Sequence, residues 1–261
     1  MRVCVCFLLV VVHISFLFNG QALADDTVDF HSLNKKADMA LRLVQEERYE
    51  EGKQVLNWIG DRLPEMDYEK EDLNSRDMGT LIRAYEGAQE GVTAADLPPE
   101  ERVRHLLTFR LALDSVISRE NPLWKKTEPT LQEKLKEVYQ HAVNQEEQEA
   151  QRVFNEWLRQ FEIIRPAFTI REEPAVYERV SSYVKFMDQN RREWLQEDGG
   201  EHLEKLEKEM RSLFHPENRD SALDPSLLWV MISVGGMVIL SLTYAGWKKY
   251  KGEKGREKMK Q

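Results

Sequence analysis

Between residues 30 and 214, apolar side chains recur every three or four positions, the spacing of one helix face, and a strand's alternation is hard to find. Leu33, Ala37, Leu41 and Val44 make a first stripe, and Val55, Leu56, Ile59 and Leu63 a second. Arg48-Tyr49 and Gly52 mark a turn between the two, and Pro64 ends the hairpin. A third helix is expected over residues 75–87, carried by Met78, Leu81, Ile82, Tyr85 and Ala88. Gly91 and Pro98-Pro99 bracket a polar connection, and Pro99 opens a fourth helix through residue 118, with Glu100 and Glu101 in its first turn. Arg110 and Asp114 stand four apart on that stripe, where an edge position open to water is expected, with a partly buried ion pair as the alternative. The longest helix is expected over residues 129–165, with a wholly polar middle, 144–149, that implies either a stretch standing off the core or a bend. Pro166 should end it, leaving 168–170 as the one short extended piece. Pro174 opens the next helix, Gly199-Gly200 interrupts, and Leu203, Leu206, Met210 and Leu213 define a last amphipathic helix. The fold class is all-α, an elongated helical bundle built from hairpins.

The spacing of Ala40, Leu43, Tyr49, Gly52, Leu56 and Pro64 in the first hairpin is similar to a single tetratricopeptide repeat. Lys36 stands where that repeat often carries a large aromatic, and a 34-residue shift brings Asn74, Asp77, Arg83, Glu86 and Glu90 to the packing positions. No array follows, so an ordinary antiparallel hairpin is the preferred reading and no peptide groove is inferred from it.

The two ends set the topology. Arg2, an apolar run to Phe18, and an exit at Ala22-Leu23-Ala24 make a secretory signal peptide over residues 1–24, cleaved after Ala24. A first membrane helix is the competing reading, but the run is short and Asp25-Asp26 follow small residues. Cys4 and Cys6 both lie in this segment, so a mature chain has no disulfide and no thiol chemistry. After a helical domain over 25–214 and a linker over 215–226 comes an uncharged stretch, 227–247, whose 21 residues span about 31 Å as a helix, enough for a bilayer core. Trp229, Tyr244 and Trp247 sit near its ends. The tail, 248–261, holds seven basic and two acidic residues, so it is expected in the cytoplasm with the body outside. Lys248, Lys249 and Lys251 lead that cluster, which also suits anionic headgroups. Gly235, Gly236, Ser241 and Ala245 form the small-residue face through which a second copy would pack, giving a homodimer.

Removing the tail's +5 and Arg2 from the formal charge of −9 leaves −15 for residues 25–226, which excludes nucleic acid as a partner. His31, His105, His141, His202 and His215 form no zinc or di-iron spacing, so no metal or cofactor is expected. No serine elbow, phosphate loop or dinucleotide fingerprint occurs. Acidic pairs such as Glu46-Glu47, Glu146-Glu147 and Glu172-Glu173 are expected on solvated helix faces rather than across a glycosidase cleft. Trp58, Trp124, Trp157 and Trp194 are expected in the core or at its boundary rather than in a ligand groove, and Arg191-Arg192 beside Trp194 suit either an anion contact or a solvated face.

The stretch Ala40, Leu43, Tyr49-Glu50-Glu51-Gly52-Lys53 and Leu56, the run Arg165-Pro166-Ala167-Phe168, and Gly235-Gly236-Met237-Val238, set in this layout, resemble the YpjB sporulation family of endospore-forming bacilli. The resemblance implies expression in the mother cell during sporulation, a need for it in efficient spore formation, and no assigned enzymatic activity. Together these readings predict a non-enzymatic, single-pass membrane protein whose outer helical domain binds a protein partner. A ligand-sensing ectodomain signalling through a membrane partner is the alternative, and a cell-wall hydrolase comes third.

Overall fold

The structure, a computed structural model, describes residues 29–196 and 199–215, together with Ser233, Met237, Ser241, Thr243 and Tyr244. The chain divides into two units, Met1–Phe214 and His215–Gln261. Among the described residues the first unit is all helical, without strands: α1 (Phe30–Gln45), α2 (Tyr49–Arg62), α3 (Ser75–Thr93), α4 (Pro99–Ile117), α5 (Glu128–Val143), α6 (Glu147–Arg171), α7 (Pro174–Gln189), the short α8 (Arg191–Gln196) and α9 (Gly199–Phe214). Single 3-10 turns occupy Leu63–Glu65 and Leu123–Thr127.

Local chemistry sets most helix starts. The Asp29 carboxylate accepts the Ser32 N–H at 2.8 Å ahead of α1, and Asn74 and Asp77 form a reciprocal capping box on α3. Pro99 and Pro174 occupy first turns, where no N–H is needed. The third helix runs further than its spacing predicts, through Gly91 to Thr93. A Cβ at Gly91 would sit 2.9 Å from the His105 Cβ, so this glycine lets α3 close on α4. The buried Arg102 guanidinium then donates to the carbonyls of Gly91 (2.9 Å), Ala94 (2.5 Å) and Leu97 (2.9 Å), satisfying the end of α3.

Two expectations about the long helix are corrected. Residues 129–165 do not form one rod: α5 and α6 are separate and pack on each other, so the polar middle is a reversal of the chain. Gln145 adopts φ 60°, Gln145 N–H donates to Ala142 O at 3.1 Å, and Glu146 N–H donates to His141 O at 2.9 Å. This is the paired-bond helix stop that glycine usually occupies. Glu47, also at φ 60°, ends α1 in the same way, with its N–H on Val44 O and the Arg48 N–H on Leu43 O. Nor does Pro166 end α6, which continues to Arg171 with no extended piece at 168–170. The missing hydrogen bond is outweighed by burial of Ile163, Ile164, Ala167, Phe168 and Ile170 around it.

The side chains form two cores. In the first, Leu33, Ala37, Ala40, Leu56, Ile59, Leu81, Ala88, Phe109 and Leu113 knit α1 to α4, and Ile170 joins from α6. Gly52 sits where α1 and α2 cross closely, since a Cβ there would lie 3.0 Å from Val44 Cγ2. The second core packs α5, α6, α7 and α9 around a row of rings, Trp194, Phe154, Trp157, Phe161, Phe168, Trp124 and Phe214, with successive centroids 5.2 to 6.0 Å apart. Trp124, Trp157 and Trp194 are therefore core residues, while the half-buried Trp58 lies beneath Lys36 and Arg62.

The Arg110–Asp114 pair is not at an open edge, which corrects the third expectation. Asp114 is buried and accepts the Leu123 N–H at 2.7 Å, while Arg110 lies 3.4 Å from it and donates to Asn34 at 2.7 Å. The carboxylate is drawn inside because it ties the chain after α4 back onto that helix. At the seam between the cores, Arg171 donates to Ser115 O at 2.9 Å, Glu71 O at 3.0 Å and Val116 O.

Because a left-handed residue with a side chain costs about 1 kcal/mol relative to glycine, Gln145→Gly should raise the stability of the full chain by about 0.5–1 kcal/mol in urea unfolding. An unchanged or lowered midpoint would show that the turn is not set by this residue.

Candidate functional site

The face of α6 that flanks its ring-bearing side carries Asn155, Leu158, Arg159, Glu162, Arg165, Pro166 and Thr169, at the three- and four-residue spacing of one stripe. This stripe borders a cleft of about 770 Å³. Thr80, Arg83, Ala84 and Gly87 of α3 and Arg104, His105 and Thr108 of α4 supply its other walls, and Asp188 and Arg191 stand at the end nearest Asn155. Five arginines from four helices thus meet beside two carboxylates in a chain whose formal charge is −9.

Their partners differ. Arg165 pairs with Glu162 at 2.8 Å, and Arg104 with Glu101 one turn back. Arg191 pairs with Asp188, donates to Asn155 at 2.6 Å, and lies over the Phe154 ring at 5.4 Å. Arg83 donates to the Thr80 hydroxyl at 3.1 Å. Among the described residues, neither Arg83 nor Arg159 forms an ion pair, and both are exposed.

Burial within the walls pushes the Glu162 carboxyl above its ordinary range; Asp188 pushes the same way, while Arg165 and Arg104 pull it back. Its side chain keeps 46 % of its surface open, so solvent screens much of that effect. The His105 imidazole, packed against α3 at Gly87 and Gly91, is pushed below its ordinary value, first by desolvation; Arg104 adds to this and Glu90 opposes it. Two further depressions are more modest: about 560 Å³ beside Tyr139 and Leu203, and about 530 Å³ at the seam around Asp72, Arg76 and Arg171. No group of His, Cys, Asp and Glu suited to a metal ion occurs among the described residues.

The acidic pairs fall where helices meet: Glu46-Glu47 between α1 and α2, Glu146-Glu147 at the start of α6, Glu172-Glu173 between α6 and α7. Of the arginines in the cleft, residue spacing offers only Arg191, as an anion contact or a solvated face, and gives no sign of Arg83, Arg104, Arg159 or Arg165. The usable signal is the charged stripe 155–169 beside the apolar, ring-bearing face of the same helix. The predicted cleavage residues Ala22 and Ala24, the packing residues Gly235, Gly236 and Ala245, and the basic residues Lys248, Lys249 and Lys251 lie outside the described residues. Ser241 is described, as a helical residue. The segment 227–247 falls almost wholly outside them too; among those described, no helix is long and apolar enough to cross a membrane.

A family model described as Sporulation protein YpjB (SpoYpjB) matches residues 30–259. The chain belongs to the YpjB family of sporulation proteins. It is 26% identical over 260 residues to the uncharacterized protein YpjB of Bacillus subtilis (strain 168), covering 98% of this chain and 97% of that one. No solved structure matches. For this YpjB-family chain the family match runs through both cores, the cleft and most of the basic tail.

The depressed His105 carries a pH consequence. Below its ordinary value of 6.5 the unfolded chain takes up the proton first, so stability present above that pH is lost as the pH falls through the folded value. His105→Gln should therefore flatten the fall in melting temperature between about pH 7 and pH 5. An equally steep fall in the variant would place the acid-sensitive group elsewhere.

Proposed function

We propose that this protein contributes to sporulation as a non-enzymatic, single-pass membrane protein whose helical body, held outside the cytoplasm, binds a protein partner. The observation that carries the binding role is the cleft: charged side chains from five helices converge on an open surface, and two of its arginines are left without ion pairs. Anchoring rests on the uncharged 21-residue segment 227–247 and the basic tail beyond it. The small-residue face at Gly235, Gly236, Ser241 and Ala245 offers a second copy a place to pack, and Lys248, Lys249 and Lys251 would meet anionic headgroups.

A second reading, wall-directed hydrolysis, draws on Glu162 and Asp188 sharing the cleft, with Glu162 held toward its protonated form. Both carboxylates are committed to arginines, which favours binding over acid catalysis. A Glu162→Gln strain is expected to keep the parental muropeptide profile; an altered profile would favour the hydrolase.

A mature chain free of cysteine makes topology directly testable. Glu137→Cys on the exposed side of α5 should react with an impermeant maleimide in intact protoplasts, whereas Lys254→Cys should react only after lysis. The reverse pattern would sink the anchoring. Proximity labelling from the helical body in sporulating cells should enrich a definite set of proteins, and recovery of background alone would end the partner-binding reading.

A further inference from the structure

The cleft reverses the charge balance of the chain that forms it. Acidic residues outnumber basic ones 46 to 37 overall, yet this depression is lined by five arginines and two carboxylates. The arginines come from α3, α4, α6 and α8, so no single amphipathic helix accounts for their meeting. Glu162 and Asp188 neutralise Arg165 and Arg191, and Glu101 holds Arg104. Arg83 and Arg159, on the α3 and α6 walls, line the same space and form no ion pair among the described residues, Glu156 acting on Arg159 only beyond ion-pair distance. Guanidinium groups held this way present forked donors that match carboxylate or phosphate oxygens.

Shape and wall composition choose between those two anions. The stripe from Asn155 to Thr169 runs about 21 Å along α6, room for six or seven residues of extended chain at about 3.3 Å each. A lone phosphate would engage one end and leave the rest empty. Between the charges the walls offer Leu158, Ile163 and Pro166, which suit apolar side chains. Glu162 and Asp188 would repel a polymer of closely spaced phosphates but sit comfortably between the spaced carboxylates of a peptide.

We propose that this cleft binds an extended acidic segment of a partner protein, with its carboxylates seated on Arg83 and Arg159 and its intervening apolar residues on the α6 wall. The proposal rests on the partner-binding reading above and names the chemistry of the partner. Electrostatic pairing of this kind gives modest affinity, strong salt dependence and selectivity against like-charged sequences.

The test uses the full chain in detergent micelles or nanodiscs and a fluorescent octapeptide of alternating Glu and Leu. Saturable binding is expected below about 100 μM and should weaken at least tenfold between about 0.05 and 0.5 M salt. The peptide with Gln in place of Glu should bind at least about tenfold more weakly. The Arg83→Glu/Arg159→Glu double variant should lose binding by about tenfold or more, and Arg83→Ala/Arg159→Ala by less. Both residues are exposed and form no ion pair, so the melting temperature of the alanine variant should stay close to that of the parent, which separates lost binding from lost fold. No saturable binding at about 1 mM, equal binding by the double variant, or displacement of the peptide by inorganic polyphosphate at lower concentration would overturn the assignment. If the peptide fails while proximity labelling still recovers a definite partner, the cleft assignment falls and the partner-binding reading stands.

Discussion

The structure depends on the packing of α4 against α6, because among the described residues these two helices alone contribute to both cores. Phe109, Ala112, Leu113 and Val116 of α4 belong to the first core and Leu111 to the second; α6 returns Ile170 to the first while its ring-bearing face fills the second. A helix serving two cores cannot keep a wide solvated face, so every residue from Leu111 to Val116 is buried, Asp114 and Ser115 included. Such polar groups are tolerable inside only with partners. Asp114 has the Leu123 N–H and Arg110, and the Ser115 hydroxyl has the Leu111 carbonyl at 3.2 Å. Away from that crossing, toward Arg104 on α4, the walls open and the charged stripe of α6 reaches water as the cleft.

Helix identity and core membership were legible in the residue pattern because burial imposes a period the chain cannot disguise. Leu33, Ala37 and Val44, then Leu56 and Ile59, then Leu203, Leu206, Met210 and Leu213 all sit inside as their spacing predicts. Reversals and continuations were harder. The α5–α6 turn is made without glycine or proline, at Gln145, and leaves no composition signal beyond polarity. Pro166 carries the opposite hazard, a strong helix-breaking signal overruled by the apolar residues packed around it. Arg110 and Asp114 were misjudged because a four-residue ion-pair spacing says nothing about which side of the helix a later loop will cover. The cleft was scarcely visible in the sequence, since its arginines lie as far apart as residues 83 and 191 and are joined only by folding.

Charge placement ties the cleft to the rest of the chain. Most acidic residues spread over turns and outer faces, where they keep a helical body soluble and discourage indiscriminate contact. A small basic concavity in such a surface does the reverse, concentrating attraction in one place where approach is also sterically defined.

Arg171 and His105 answer acid differently. A guanidinium holding three carbonyls from two other segments keeps its proton throughout the physiological range even though burial lowers its proton affinity. His105, on the α3–α4 side, does not share that immunity. Acidification should therefore weaken the α3–α4 contact at His105 while the carbonyl contacts of Arg171 keep their donor.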